Sequence, residues 1–93
     1  MKITWSAAAW DDVGRIYAFL AEYDLNAADR IFDRLVEAPT MLQDFPRRGS
    51  RLNRVANIEI REFRLGNYIV RYGLKRDELL ILRFVHGREH RSS

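Results

Sequence analysis

The sequence predicts an α+β fold: a short N-terminal strand, a helical hairpin, then a three-stranded antiparallel meander with the helices packed on one sheet face. From Ala9 to residue 45 the apolar side chains recur at spacings of three and four, whereas from Ile58 onward the period is two. Gly66-Asn67 separates two such alternating runs, as in a β-hairpin. The chain has 93 residues, 47% of them hydrophobic, so we expect one core and a single domain over residues 1–93.

The N-terminal segment predicts a strand followed by a helix. Within residues 1–5, Ile3 and Trp5 lie on one side of the strand and the intervening polar residues on the other. Ser6 is a suitable N-cap for a helix of about sixteen residues. The apolar stripe of this helix comprises Ala9, Val13, Ile16, Leu20 and Tyr23.

A second helix is predicted after the short Asp24-Leu25 turn, so that the two helices form an antiparallel hairpin. Asn26 is its expected N-cap, and Asp29, three residues later, completes a capping box. Pro39 removes a backbone donor, so we expect a kink or a restart near Ala38. Pro46 ends the helix. The apolar stripe comprises Ala28, Ile31, Leu35, Leu42 and Phe45.

The remainder of the chain predicts a basic loop and three strands. The loop extends to about residue 57 and carries Arg47, Arg48, Arg51 and Arg54. Residues 58–65 and 68–74 form a hairpin whose two-residue turn fixes the register. The face toward the helices then pairs Leu65 with Tyr68, Phe63 with Val70 and Arg61 with Tyr72. The other face pairs Arg64 with Ile69 and Glu62 with Arg71.

A third strand over residues 79–86 follows the turn at residues 75–78. We orient it with Leu80, Leu82 and Phe84 toward the helices. Arg83 then points outward, beside Arg71, and the face of the sheet away from the helices stays open.

Charge is distributed unevenly along the chain. Residues 1–45 carry four basic and eight acidic side chains, a net charge of −4, whereas residues 46–93 carry twelve and five, a net charge of +7. Fourteen of the sixteen basic residues are arginine, which pairs bidentately with carboxylate or phosphate. The C-terminal half is therefore expected to meet an anionic surface, either nucleic acid or an acidic protein segment, unless it is simply a solvated face.

The absence of cysteine excludes disulfides, thiolate metal sites and a cysteine nucleophile. No apolar run is long enough for a signal peptide or a membrane span, so we expect a cytoplasmic protein without membrane contact. The sequence contains no glycine-rich phosphate-binding loop and no serine nucleophile motif. It also shows no convincing catalytic pair of carboxylates. We therefore expect no cofactor.

Five arginines form the candidate binding site for a target or a partner. Arg64, Arg71 and Arg83 come from three successive strands and are expected on the same open face, with Arg61 and Arg88 at its rim. Like charges on rigid strands repel unless an anion relieves them, which is typical of a phosphate or carboxylate site. The alternative is that Glu59, Glu62 and Glu78 neutralise these arginines in cross-strand pairs.

Two further motifs have weaker functional interpretations. His86-Gly87-Arg88-Glu89-His90 fits the letters of a zinc motif, but that motif needs a helix and a third ligand, so we expect no metal. His86 is a candidate general base or a structural residue at a strand end. The tyrosines fit core packing better than base stacking.

Residues along almost the whole chain resemble the RelE/ParE toxin family. They are Trp5 before a helix with Asp12 and Ile16, Pro46 and Gly49 after the second helix, Tyr68 and Tyr72 on the middle strand, and the ending from Ile81 to Arg88. The resemblance implies the toxin of a type II toxin–antitoxin system. It also implies a hetero-oligomer with a cognate ParD- or RelB-like antitoxin, whose C-terminal segment wraps the toxin.

The family has two branches, which the resemblance separates by their basic residues. RelE-like members cut mRNA on the ribosome with an arginine after the first tyrosine of the middle strand, an arginine after the last strand and a C-terminal tyrosine. Arg88 matches the second of these, but Ile69 occupies the first position, with Arg71 nearby, and no tyrosine follows His90. ParE-like members share the His-Gly-Arg ending and poison DNA gyrase without being enzymes.

This chain is therefore similar to the ParE-like branch, and we expect a gyrase inhibitor without a catalytic step. The alternative is a RelE-like mRNA endonuclease acting on the ribosome, in which Arg88, Arg71 and His86 would be catalytic. A third interpretation is a nucleic-acid-binding module without toxicity.

Overall fold

The computed structural model describes residues 1–88. It confirms the α+β fold, with two helices on a five-stranded sheet ordered β1-β5-β4-β3-β2. Consecutive strands from β2 to β5 pair antiparallel, and β1 pairs parallel with β5. The elements are β1 Lys2–Trp5, α1 Ala7–Ala21, α2 Leu25–Asp44, β2 Ser50–Val55, β3 Ile58–Leu65, β4 Tyr68–Lys75 and β5 Glu78–His86.

The N-cap of α1 is the predicted one, whereas that of α2 is not. The Ser6 side chain accepts a hydrogen bond from the Ala9 backbone N–H at 3.0 Å. Helix α2 begins two residues earlier than expected because Asp24, with an extended backbone, accepts from the Ala27 N–H. Asn26 therefore lies inside the helix. Asp29 accepts a hydrogen bond from the Tyr17 hydroxyl at 3.0 Å.

Helix α2 continues through Pro39, so the restart expected near Ala38 is wrong. Ala38 and Pro39 are both buried, as are Leu35 and Leu42 on the same stripe. Packing of this stripe against the sheet compensates for the donor that proline lacks. Phe45, expected on the stripe, is instead the exposed C-cap.

A strand, β2, lies where a basic loop was predicted. Its residues are all exposed, so no alternation of apolar and polar side chains reveals it. It pairs with β3, with an irregularity in register between Arg51 and Asn53. Ala56 begins the connecting turn with a φ of +54°, in the left-handed region.

The β3–β4 hairpin has the predicted register. Leu65 pairs with Tyr68, Phe63 with Val70 and Arg61 with Tyr72, and the two outward pairs are also as expected. Gly66 takes a φ of +60°, which a primed two-residue turn requires at its first central position.

Strand β5 corrects the expected orientation of the last strand. Leu79 and Ile81 are fully buried with Phe84, whereas Leu80 and Leu82 are only partly buried. The cause is a bulge: Tyr72 pairs with Ile81 and Arg71 with Arg83, so Leu82 is an extra residue. Odd-numbered residues face the core before the bulge and even-numbered residues after it, so a strictly alternating pattern assigns the wrong leucines to the core.

The core lies between the helices and strands β4 and β5, where Tyr72, Phe84, Leu35 and Leu42 are fully buried. Trp5 joins β1 to this core by contacting the Phe84 ring, and its outer face stacks on Trp10 at 4.2 Å between ring centroids. Neither helix in the described part of the chain combines the length and apolarity that a membrane crossing needs.

Candidate functional site

The five candidate arginines do not form one open cluster. Three of them contact carboxylates, and only two lie together at the end of the sheet where β3 ends and β5 leads into Arg88. The register places Arg83 directly opposite Arg71, as predicted. Both side chains pair with carboxylates, however, so the expectation of an unneutralised cluster with Arg64 is wrong. The alternative interpretation, neutralisation in cross-strand pairs, holds for Glu62 and Arg71 alone. Glu59 pairs with Arg61 on its own strand, Asp12 of α1 pairs with Arg83, and Glu78 contacts Lys75 instead of an arginine.

Arg61 supports the loop that precedes β2. Its Nε donates to the Glu59 carboxylate, and its Nη1 donates to the backbone carbonyls of Gly49 and Arg47. The hydrogen bond from Arg61 lowers the pKa of Glu59 and outweighs the opposing effect of desolvation. Arg61 is thus occupied by the protein's own backbone and side chains.

Arg71 pairs with its cross-strand neighbour Glu62. Its Nε lies 2.9 Å from Glu62 Oε2, and its Nη2 donates to the same oxygen. The register places the two residues directly opposite each other, where unlike charges stabilise a sheet. The Arg71 side chain is 43% exposed, so an external anion would compete with Glu62 for it.

Arg83 reaches a carboxylate on the first helix. Its Nε and Nη2 donate to the two oxygens of Asp12 at 2.7 and 2.9 Å. The Phe84 backbone N–H also donates to Asp12, at 2.9 Å. This is possible because β1 ends opposite Ile81, so the edge of β5 beyond that residue is open to α1.

Asp12 is buried, with 3% of its surface exposed. Desolvation by itself raises the pKa of this carboxyl, but the hydrogen bonds from Arg83, from the Phe84 backbone and from Arg15 together outweigh it, so the pKa lies below its usual value. Sequence reasoning missed Asp12 as a structural residue. The available signal was an acidic side chain beside the apolar stripe of Ala9, Val13 and Ile16.

Arg64 and Arg88 lie together without an ion pair to any carboxylate of residues 1–88. They line a cavity of about 340 Å³ with Asn67, His86 and Gly87. Gly87 allows the Arg64 guanidinium to pack closely, since a Cβ there would lie 2.9 Å from Arg64 Nη1. The Gly87 N–H donates to the Asn67 carbonyl at 2.7 Å, which closes this end of the sheet.

His86 has a fixed orientation beside this cavity. Its Nδ1 accepts a hydrogen bond from the Arg88 backbone N–H at 3.0 Å, and its ring contacts the Tyr68 ring edge to face at 5.2 Å. Nε2 is then the ring nitrogen left to meet a ligand. Glu89 and His90, which complete the histidine-containing motif, lie outside the described residues. Within residues 1–88, no group of three histidine or acidic side chains comes together as a metal site.

A second cavity lies on the helix side of the same strand ends. It has a volume of about 490 Å³ and is lined by Arg15, Ile16, Phe19, Tyr68, His86 and Arg88. Arg15 and Phe19 come from α1 one helical turn apart, so both project toward β4 and β5. Sequence reasoning gave neither residue a role, because Phe19 falls outside the apolar stripe and its 61% exposure is visible only in the fold.

The comparisons with known proteins agree with this architecture. A chain in the chromosomal ParDE toxin–antitoxin system from P. aeruginosa superposes with a TM-score of 0.72 and 22% identity, covering 92% of this chain and 95% of that one. A chain in the RelBE2 toxin–antitoxin complex from Mycobacterium tuberculosis gives a TM-score of 0.65 and 23% identity, covering 91% and 95%. At these identities the likeness shows the fold. No curated protein matches the sequence.

The family model described as the ParE toxin of the type II toxin–antitoxin system parDE matches residues 3–91. This match confirms the resemblance derived from Trp5, Tyr68, Tyr72 and the His-Gly-Arg ending. Because it spans nearly the whole sequence, the chain belongs to the ParE toxin family of type II toxin–antitoxin systems.

Proposed function

We propose that this ParE-family toxin arrests growth by binding DNA gyrase without a catalytic step, and that a cognate ParD- or RelB-like antitoxin neutralises it in a hetero-oligomer. The observation that carries the proposal is that, of the basic residues a nuclease would need, one is paired with a carboxylate and another is replaced by an apolar residue. Arg71 pairs with Glu62, and the buried Ile69 occupies the position where a RelE-like enzyme has an arginine. A cluster of cations preorganised around a phosphate is therefore incomplete.

The charge distribution supports an acidic antitoxin. The helical half of the chain, residues 1–45, carries a net charge of −4, and the strand-forming half carries +7. Complementary potentials accelerate and orient the encounter of two proteins. Arg88 and Arg64 are the candidate residues that are most available to such a partner or to the target, because Arg61, Arg71 and Arg83 already pair with carboxylates of the chain.

Purified toxin added to a DNA supercoiling reaction tests the target directly. We expect concentration-dependent loss of gyrase-driven supercoiling and, in cells that express the chain alone, an SOS response with stalled replication. Addition of the same protein to a translating ribosome extract should leave mRNA intact. Harmless overexpression without either effect would contradict the proposal and favour a nucleic-acid-binding module without toxicity.

A ribosome-dependent mRNA endonuclease is the second candidate function. The observation that favours it is the cavity at which Arg64, His86 and Arg88 meet, where two guanidinium groups and an imidazole face one space of about 340 Å³. Such groups stabilise charge on a scissile phosphate and transfer protons. Cleaved mRNA in the ribosome extract, together with unchanged supercoiling, would replace the gyrase proposal with this one.

A further inference from the structure

The edge strand β2 and the loop before it form the most uniformly basic segment of the chain. Residues 46–58 contain four arginines and no acidic residue. All four arginines are exposed: Arg47, Arg48, Arg51 and Arg54. Charged side chains protect an edge strand from pairing with another chain. Protection does not require the charges to converge, and most of these do.

The bulge at Leu52 turns Arg51 and Arg54 to the same face of the sheet. Residues three apart on a regular strand point to opposite faces. Arg51 pairs with Arg61 on β3. After the extra residue Leu52, Arg54 pairs with Glu59. Because residues 59 and 61 are two apart on β3, the two β2 arginines share a face and lie about 7 Å apart along the strand direction.

Two further arginines reach this face from other segments. Arg47, in the loop before β2, and Arg76, in the β4–β5 turn, line a cavity of about 490 Å³ together with Arg54. Both are exposed, the Arg47 side chain by 73%. Guanidinium groups from three segments therefore surround one space, with Arg51 beside it. The four side chains form what we call the β2 arginine face: Arg47, Arg51, Arg54 and Arg76.

The positive charge of the β2 arginine face exceeds what the chain neutralises. Glu59 is the only acidic residue among the described residues that line the cavity, and it is 8% exposed. The hydrogen bond from Arg61 lowers its pKa against the effect of desolvation, and the charges of Arg47 and Arg51 lower it further. Three members of the face form no ion pair with a carboxylate in the described part of the chain: Arg51, Arg54 and Arg76.

The surroundings of the β2 arginine face favour a phosphate backbone over exposed bases. Single-stranded nucleic acid binds where aromatic rings alternate with cations. No aromatic side chain is among the described residues that line the cavity. The nearby rings of Phe45 and Phe63 are covered by the Arg48 guanidinium, at 5.1 and 5.6 Å from their centroids. Duplex DNA presents dense rows of phosphates and keeps its bases stacked inside, so cations on a rigid strand suit it.

We infer that the β2 arginine face binds the phosphate backbone of duplex DNA without reading its sequence. The inference goes beyond the proposed function, because it gives the chain a nucleic-acid contact in addition to its protein partners, and it holds whichever target the toxin has. The guanidinium groups donate to phosphate oxygens. Each neutralised phosphate releases condensed counterions, so the affinity falls steeply as the salt concentration rises.

Fluorescence anisotropy of a labelled duplex, titrated with the purified full chain, tests this binding. With a duplex of about 20 base pairs and salt from about 50 to 200 mM, the logarithm of affinity should fall against that of salt with a slope of about −3 to −4, as three or four phosphate contacts require. Two duplexes of unrelated sequence should bind within about twofold of each other, because backbone contacts carry no sequence information.

Variants locate the contact. Arg51→Ala/Arg54→Ala should lower the affinity about tenfold at low salt and reduce the slope by about two. Arg51→Lys/Arg54→Lys should stay within about threefold of the parent chain, since a phosphate also accepts the point charge of lysine. The matched control is Arg30→Ala/Arg34→Ala, which removes the same charge from the exposed surface of α2 and should change the affinity by no more than about twofold.

Circular dichroism checks that each variant is folded, and Arg76→Ala provides a second variant that leaves β2 intact. This turn residue is exposed, and its loss should reduce the salt slope by about one. Four outcomes would overturn the inference. They are no anisotropy change at low salt, tighter binding of a single strand of the same length, tighter binding of poly-glutamate in competition, and an equal loss of affinity in the α2 control. The last would show that net charge alone attracts DNA.

Discussion

Asp12 holds α1 against β5 at a point where the sheet has no further strand. The carboxylate accepts hydrogen bonds from Arg15, from Arg83 and from the Phe84 backbone, and it is buried. A buried carboxylate with several charged or polar donors keeps its negative charge in the folded state. Its replacement leaves the Phe84 N–H without a charged acceptor and Arg83 without its anion.

Asp12→Asn should therefore destabilise the fold in a pH-dependent manner. The pKa of Asp12 is lower in the folded chain than the ordinary value of 3.8, so its contribution is complete above that pH and is lost as pH falls through the folded pKa. Urea unfolding should show a loss of roughly 3 kcal/mol at pH 7, the low end for a broken buried ion pair because Arg83 is half exposed. The difference from the parent chain should shrink toward pH 2. An equal loss at both pH values would contradict this linkage, and Asp33→Asn, on the exposed surface of α2, is the control.

Gly49 is required by a close approach of the chain to Tyr72. The Tyr72 hydroxyl donates to the Pro46 carbonyl at 2.8 Å and accepts from the Gly49 N–H at 2.9 Å. A Cβ at residue 49 would lie 2.5 Å from that hydroxyl and 2.6 Å from the Glu62 carbonyl oxygen. The second contact is with backbone, so rotation of a side chain cannot relieve it.

We expect Gly49→Ala to cost about 2 kcal/mol of unfolding free energy, as overpacking typically does. Tyr72→Phe should cost about 1–2 kcal/mol because it removes the hydrogen-bond partner of the buried Gly49 N–H and of the partly buried Pro46 carbonyl. The double variant should not regain stability, since the clash with the Glu62 carbonyl persists. Gly14→Ala is the matched control: apart from its chain neighbours and the backbone of its own helix, no atom lies within 4 Å of the added Cβ, so this substitution should stabilise by about 0.5–1 kcal/mol. A double variant as stable as Tyr72→Phe alone would show that only the hydroxyl mattered.

Among the elements, those defined by side-chain alternation and turn chemistry could be predicted, and those defined by tertiary contacts could not. The β3–β4 hairpin follows from Gly66-Asn67 and its flanking apolar residues, and its register is confirmed. Strand β2 has no apolar face, so only its backbone pairing with β3 makes it a strand. The bulge at Leu82 and the continuity of α2 through Pro39 likewise depend on packing that no local pattern encodes.

The backbone of Ala56 in the β2–β3 turn is strained, and a substitution by glycine should remove the strain. Its φ of +54° places the Cβ in the left-handed region, which costs an L-residue about 1–2 kcal/mol. Ala56→Gly should relieve this cost, with a part lost to the greater freedom of glycine in the unfolded chain, for a net gain of about 0.5–1 kcal/mol. Thermal unfolding should move upward by a few degrees, roughly 2–8 °C. Ala18→Gly, in the exposed interior of α1, should instead destabilise by about 1 kcal/mol. A lower melting temperature for Ala56→Gly would contradict the strain argument.

On the scale of the molecule, the sign of the net charge follows the architecture. The N-terminal half supplies β1 and both helices and is acidic, whereas the C-terminal half supplies β2 to β5 and is basic. Composition therefore predicted that the sheet side would carry the cations. It did not predict how they are distributed, because Arg71 and Arg83 point to carboxylates that lie nine and 71 residues away in sequence. Among the five candidate arginines, only the fold identifies Arg64 and Arg88 as the two that form no ion pair with a carboxylate of residues 1–88.

The same distribution separates stability from function among the arginines. Arg83→Ala removes the main partner of the buried Asp12, so it should lower the unfolding free energy by about 2–3 kcal/mol. Arg88 is exposed, so Arg88→Ala should change stability by less than about 0.5 kcal/mol. In a gyrase supercoiling assay we expect Arg88→Ala to raise the inhibitory concentration about two- to fivefold, as loss of an exposed binding contact does.

Simultaneous loss of Arg71, Arg83 and Arg88 should abolish inhibition and weaken the antitoxin complex, and circular dichroism is needed to separate lost binding from lost fold. Lys75→Ala is the control, because its contact with Glu78 is long, at 3.9 Å, and lies at the opposite end of the sheet.

A catalytic Arg88 would behave differently: removal of one preorganised donor to a developing charge costs about a hundredfold or more in rate. If Arg88→Ala alone eliminated growth arrest in a stable chain, and the parent protein cut mRNA on ribosomes, the toxin would be a nuclease rather than a gyrase inhibitor.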